Sequence, residues 1–112
     1  MFELSNIYDI NKTYGHLEGN NLIREFSGIL QRASTGYAFV GRNGGNKFLA
    51  IIEKCDQEKL NDFLKRVDDR LEIHNQNAEQ PPIFIKYGIA FNEGPDINSV
   101  TQLIALSNER IS

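Results

Sequence analysis

The sequence predicts an α+β fold, a mainly antiparallel central sheet flanked by helices. Three observations carry the prediction. Short runs rich in β-formers straddle a glycine-rich turn at Gly44-Gly45. Two longer stretches repeat apolar residues at helical spacing. Strand pairs alternate with helices, which suits one mixed-layer sheet better than a doubly wound parallel one.

Residues 1–7 supply a first strand or its end, and a short helix follows. From Gly19 onward Leu22, Phe26, Ile29 and Leu30 fall on one face of a helix that ends near Ala33 or Ser34. Such a face needs a sheet to cover. The runs 37–41 and 48–52 are separated by Arg42-Asn43-Gly44-Gly45-Asn46-Lys47 and read as a hairpin, with glycines where a turn asks for positive φ. Asp56 is placed to cap a helix traced by Leu60, Phe63, Leu64, Val67 and Leu71, which fades before Pro81-Pro82. Residues 83–90 form the strongest strand candidate, followed by a turn at 92–95 and a helix bearing Val100, Leu103, Ile104 and Ile111. One domain over residues 1–112 accommodates all of this.

The net charge of −3 argues against a partner gripped through phosphate neutralisation, so no nucleic acid is expected. No apolar run approaches the ~20 residues needed to cross a bilayer, and the N-terminus carries no secretory pattern. Cys55 is the only cysteine, so no internal disulfide can form and a reducing, cytoplasmic setting is the simpler expectation. His16 and His74 lack the cysteine, histidine or acidic company of a zinc site.

Three segments, read together, resemble the GGDEF family of diguanylate cyclases, which make cyclic di-GMP from two GTP molecules. They are 10–22, 42–48 and Tyr87-Gly88-Ile89-Ala90. The family's first motif runs Asp-x-Asp-x-Phe-Lys-x-Ile-Asn-Asp-x-Tyr-Gly-His-x-x-Gly-Asp-x-x-Leu, and Ile10, Asn11, Tyr14, Gly15, His16, Gly19 and Leu22 match it. The resemblance runs from Glu3 to about Ser107. It implies the family's five-stranded nucleotidyl-cyclase, palm-like fold. Segments matching the family's two edges are not found, so the chain looks like the core of the domain, excised from a larger signalling protein.

The resemblance also implies a loss. In the family, the first Asp of the Asp-x-Asp segment and the third residue of the Gly-Gly-Asp-Glu-Phe turn hold Mg²⁺ against the triphosphate; here those positions are Glu3 and Asn46. Mg²⁺ takes oxygen ligands and needs charge neutralisation, and an amide brings no charge and is no base. The second Asp becomes Ser5 and the fourth turn residue becomes Lys47, read as an outward hairpin charge. No catalytic residue and no metal ligand is therefore expected in the degenerate turn Gly44-Gly45-Asn46-Lys47-Phe48, with Glu3 at a vestigial ligand position. No cofactor is expected; Mg²⁺ with GTP enters only if residual activity exists.

The family's guanine-binding positions fall on Asn11 and Asn20, which with Gly44 and Gly45 form a vestigial nucleotide site. An amide replacing a carboxylate at Asn20 mispairs with guanine, at about 1–3 kcal/mol. Asn11 and Asn20 read equally well as helix caps. The family's inhibitory Arg-x-x-Asp would fall on Thr35-Gly36-Tyr37-Ala38 and is absent. Partners implied by the resemblance are GTP, a flanking sensor or EAL phosphodiesterase domain, and a second copy in a homodimer.

The leading expectation is thus a catalytically inactive regulatory or interaction module in bacterial cyclic di-GMP signalling. The alternative is a divergent active cyclase using Glu3 with Glu18 or Glu53. A third reading has Phe39, Phe84 and Tyr87 stacking on a base, against the simpler expectation that these aromatics are core.

Overall fold

The computed structural model describes residues 1–36, 38–52, 56–77, 79–90 and 100–111, without the side chains at 100 and 101. Strand β1 (Phe2–Leu4) leads into helix α1 (Ile7–Tyr14) and the long helix α2 (His16–Ser34). Gly15 joins the two helices with φ 94°, a conformation that costs a residue without Cβ little. The break lets α2 begin at His16, three residues before the start expected at Gly19.

Strands β2 (Phe39–Arg42) and β3 (Lys47–Ile51) form the expected hairpin, followed by α3 (Gln57–Asn75), β4 (Ile85–Tyr87) and α4 (Val100–Glu109). The expected cap is present: the Asp56 carboxylate accepts from the Lys59 amide at 2.7 Å. The turn expected at 92–95 lies outside the described residues, and Ile111 falls beyond the end of α4.

The described strands form a four-stranded sheet in the order β2-β3-β1-β4, every pair antiparallel. The fold class expected from the sequence is the one observed. The fifth strand implied by the resemblance has no counterpart among the described residues. Side chains alternate across β1, so Phe2 and Leu4 face one way and Glu3 the other. On the Phe2 side α2 and α3 close the core: the ring of Phe2 meets Phe26 and Phe63 at 6.0 and 6.2 Å, and Phe26 meets Phe48 at 5.1 Å.

The strand expected over 83–90 is shorter. Pro81 and Pro82 have no N–H for a ladder, and side chains hold the approach to β4 instead. Asn75 accepts from the Ile83 amide and donates to its carbonyl at 2.8 and 3.0 Å. Asn6 donates to the Pro82 carbonyl and accepts from the Phe84 amide at 2.8 and 3.2 Å. His74, half-buried, places Nε2 at 3.1 Å from the Pro81 carbonyl and so ties the last turn of α3 to the same stretch.

On the other side, α4 approaches the end of β4. A Cβ on Gly88 would lie 2.2 Å from the Ser107 carbonyl oxygen, so only glycine permits this approach.

Candidate functional site

The Gly-Gly hairpin is shaped by its own chain. Gly44 and Gly45 take φ 81° and 52°, where a Cβ is strained. The Asn43 amide donates to the Lys47 carbonyl at 2.8 Å and the Lys47 amide to the Gly44 carbonyl at 3.0 Å. The Arg42 guanidinium then donates from Nε and Nη2 to the Gly45 carbonyl at 2.9 and 2.7 Å.

Asn46 follows, half-buried beside the end of β1. Its Nδ2 donates to the Leu4 carbonyl at 2.7 Å, and the Leu4 amide donates to the Asn46 carbonyl at 2.9 Å. A carbonyl only accepts, so the amide nitrogen must be the atom that faces it. Asn46 therefore adds a side-chain rung to the ladder between β3 and β1.

Glu3, half-buried, stands opposite Lys47 on one neighbouring strand and Lys86 on the other. Ser5, at the position of the family's second acid, is exposed. The Lys47 ammonium, read from the sequence as an outward hairpin charge, donates from Nζ to Asn108 Oδ1 of α4 at 2.7 Å in an exposed hydrogen bond. The residue after Asn46 thus ties the hairpin to a helix 61 residues away.

Mg²⁺ asks this place for oxygen lone pairs. The Leu4 carbonyl is engaged by an N–H donor, and an ammonium extends from the next residue. Among the described residues no group of three His, Cys, Asp or Glu side chains is arranged to hold a metal. Of the two ligand positions to which the resemblance points, Glu3 keeps a carboxylate and Asn46 carries an amide.

Asn11 and Asn20 lie inside α1 and α2, so the cap reading fails for both; the residues flanking the helix starts are Asn6 and Gly15. Asn11 lies against Gly19, where an added Cβ would meet its Oδ1 at 1.7 Å. That Oδ1 is buried and has no hydrogen-bond partner among the described residues. Asn20, next in the chain after Gly19, is exposed. The α1–α2 crossing brings Asn11 beside the helix segment that carries Asn20; no hydrogen bond among the described residues links either to the hairpin.

Phe39, Phe84 and Tyr87 are not core: they are 71%, 55% and 39% exposed. Nor do they share one platform. Tyr87 is registered with Phe2 and its ring meets that residue at 5.8 Å, whereas Phe84 alternates to the opposite face and Phe39 lies on edge strand β2. Glu18 lines a cleft of about 210 Å³ with Glu25, His74 and Pro81, containing no residue of the hairpin and small for a nucleotide, which needs roughly 300 Å³ or more. Glu53 and Tyr37 lie outside the described residues.

Three contributors were missed from the sequence: Arg42, Asn108 and the Leu4 carbonyl. The first sits two residues before the glycines and could have been suspected. The other two had no local signal, because a backbone carbonyl carries none and Asn108 becomes a neighbour only through the fold.

With this geometry in view, the comparisons are specific. A family model described as "Diguanylate cyclase, GGDEF domain" matches residues 1–112. The diguanylate cyclase DosC of Escherichia coli (strain K12) is 23% identical over 107 residues, covering 92% of this chain and 23% of the relative. An uncharacterized membrane protein of Staphylococcus aureus (strain USA300) is 24% identical over 102 residues, covering 88% of this chain and 29% of the relative. The chain thus spans about a quarter of the length of these curated relatives.

Among solved structures, Pseudomonas aeruginosa diguanylate cyclase SiaD, in complex with its activator SiaC, superposes with a TM-score of 0.82 at 18% identity, covering 97% of this chain and 42% of that one. An EAL/GGDEF domain protein from M. capsulatus gives 0.79 at 26% identity, covering 96% and 70%. With a family model matching its whole length and these folds superposing on it, the chain belongs to the GGDEF family of diguanylate cyclase domains.

Proposed function

We propose that this chain is a catalytically silent GGDEF domain, a regulatory or interaction module in bacterial cyclic di-GMP signalling. The observation that carries this reading is the use made of the turn. Asn46, at the position of the family's turn acid, spends its side chain on the Leu4 carbonyl, and Lys47 spends its own on Asn108. Joining a 3′-hydroxyl to an α-phosphate calls for metal ions to neutralise developing charge and for activation of the hydroxyl. Neither an amide donor nor a tethered ammonium supplies a metal ligand or a base.

A module role is supported by the company such domains keep. The M. capsulatus protein is described as an EAL/GGDEF domain protein, and SiaD was solved with its activator. By analogy the partner here is a neighbouring EAL or sensor domain, in a cytoplasmic setting suggested by the single cysteine. Residual GTP binding is assigned to the α1–α2 crossing, where the buried Asn11 Oδ1 has no donor among the described residues. Calorimetric titration with GTP, with and without Mg²⁺, tests the reading. Equal heats under both conditions are expected, and a Mg²⁺-dependent gain in affinity contradicts it.

A further inference from the structure

We propose that the Asn46 amide is a built-in replacement for a cation, an N–H latch on the Leu4 carbonyl that makes this hairpin junction metal-independent. The inference rests on the silent reading above and goes further, because it says what fills the place rather than only what is missing.

The argument is one of donors and acceptors. The Leu4 carbonyl presents lone pairs at the end of β1, next to Glu3. Something electropositive must meet it, since a half-buried acceptor without a partner is costly. Asn46 Nδ2 does so at 2.7 Å, and the Leu4 amide returns a bond to the Asn46 carbonyl. An Asp side chain has nearly the shape of Asn but carries only oxygen acceptors when ionised. At position 46 it would set a carboxylate against the Leu4 carbonyl, with the Glu3 carboxylate one residue away. Such a concentration of oxygen ligands repels itself when bare and is relieved by a divalent cation. One atom, nitrogen or oxygen, therefore decides whether the junction closes by itself or asks for a metal.

Thermal unfolding of the protein, Asn46→Asp and Asn46→Ala, each in EDTA and in millimolar MgCl₂, tests this directly, with Mn²⁺ binding read by the loss of free-ion EPR signal. The wild type is expected to melt at the same temperature in both buffers and to take up no Mn²⁺ at this place. In EDTA both variants should melt lower, by roughly 5 °C. Mg²⁺ should restore Asn46→Asp alone, which should also bind Mn²⁺. The latch is overturned if the wild type is stabilised by Mg²⁺ as much as Asn46→Asp is, or if Asn46→Ala melts with the wild type. Should Asn46→Asp fail to fold even with Mg²⁺, the wild-type and alanine measurements still decide. A wild type that makes no cyclic di-GMP yet gains stability from Mg²⁺ sinks the latch and leaves the silent reading standing; turnover with an intact latch does the reverse.

Discussion

Lys47 Nζ donates to Asn108 Oδ1 at 2.7 Å, joining the Gly-Gly hairpin to α4 across 61 residues of sequence. Its backbone is registered with Glu3, so Lys47 also offers the opposite charge beside the acid of β1. Lys47→Glu would remove the ammonium and set two carboxylates on facing positions, an arrangement that costs about 0.5–1 kcal/mol in antiparallel sheets. Urea unfolding should show a lowered midpoint, with Lys47→Gln intermediate. Equal midpoints for all three would mean that the tie to Asn108 contributes nothing.

Gly19 carries a more local prediction. An added Cβ would lie 1.7 Å from Asn11 Oδ1, so Gly19→Ala should destabilise by about 1–3 kcal/mol despite the better helix propensity of alanine. In an Asn11→Ala background the obstruction is gone, and the same substitution should then stabilise by about 0.5–1 kcal/mol. A double-mutant cycle by chemical denaturation reads this change of sign, and additivity would contradict the packing described for the α1–α2 crossing.

Asp56 caps α3 through the Lys59 amide at 2.7 Å. Replacing it with alanine should cost about 1 kcal/mol, and with asparagine much less, because an amide oxygen also accepts. Guanidinium melts of the two variants distinguish the cap from a general loss of charge.

At Gly88 the neighbour is backbone, the Ser107 carbonyl, and cannot rotate away. Gly88→Ala should therefore displace α4, seen as faster amide hydrogen exchange in α4 than in α2. Unchanged exchange in α4 would refute the close approach.

The sequence disclosed the elements whose causes are local. The periodic apolar residues of α2 and α3, the Asp56 cap and the glycine turn each follow from neighbouring residues, and the structure contains all of them. Boundaries slipped at Gly15, whose break between α1 and α2 let α2 start early, and before β4, where the side chains of Asn6 and Asn75 hold the stretch. The site was legible as residue types but not as contacts. The resemblance pointed to Asn46 and Lys47; that one faces the Leu4 carbonyl and the other Asn108 depends on pairings 42 and 61 residues long. The aromatics were misread because β-formers on short edge strands need not be covered, and Phe39 and Phe84 stand exposed.

The most direct test of the silent reading is chemical. The protein, incubated with GTP and either Mg²⁺ or Mn²⁺, is analysed by chromatography for cyclic di-GMP. No product above the metal-free control is predicted, and metal-dependent formation of cyclic di-GMP would contradict the account.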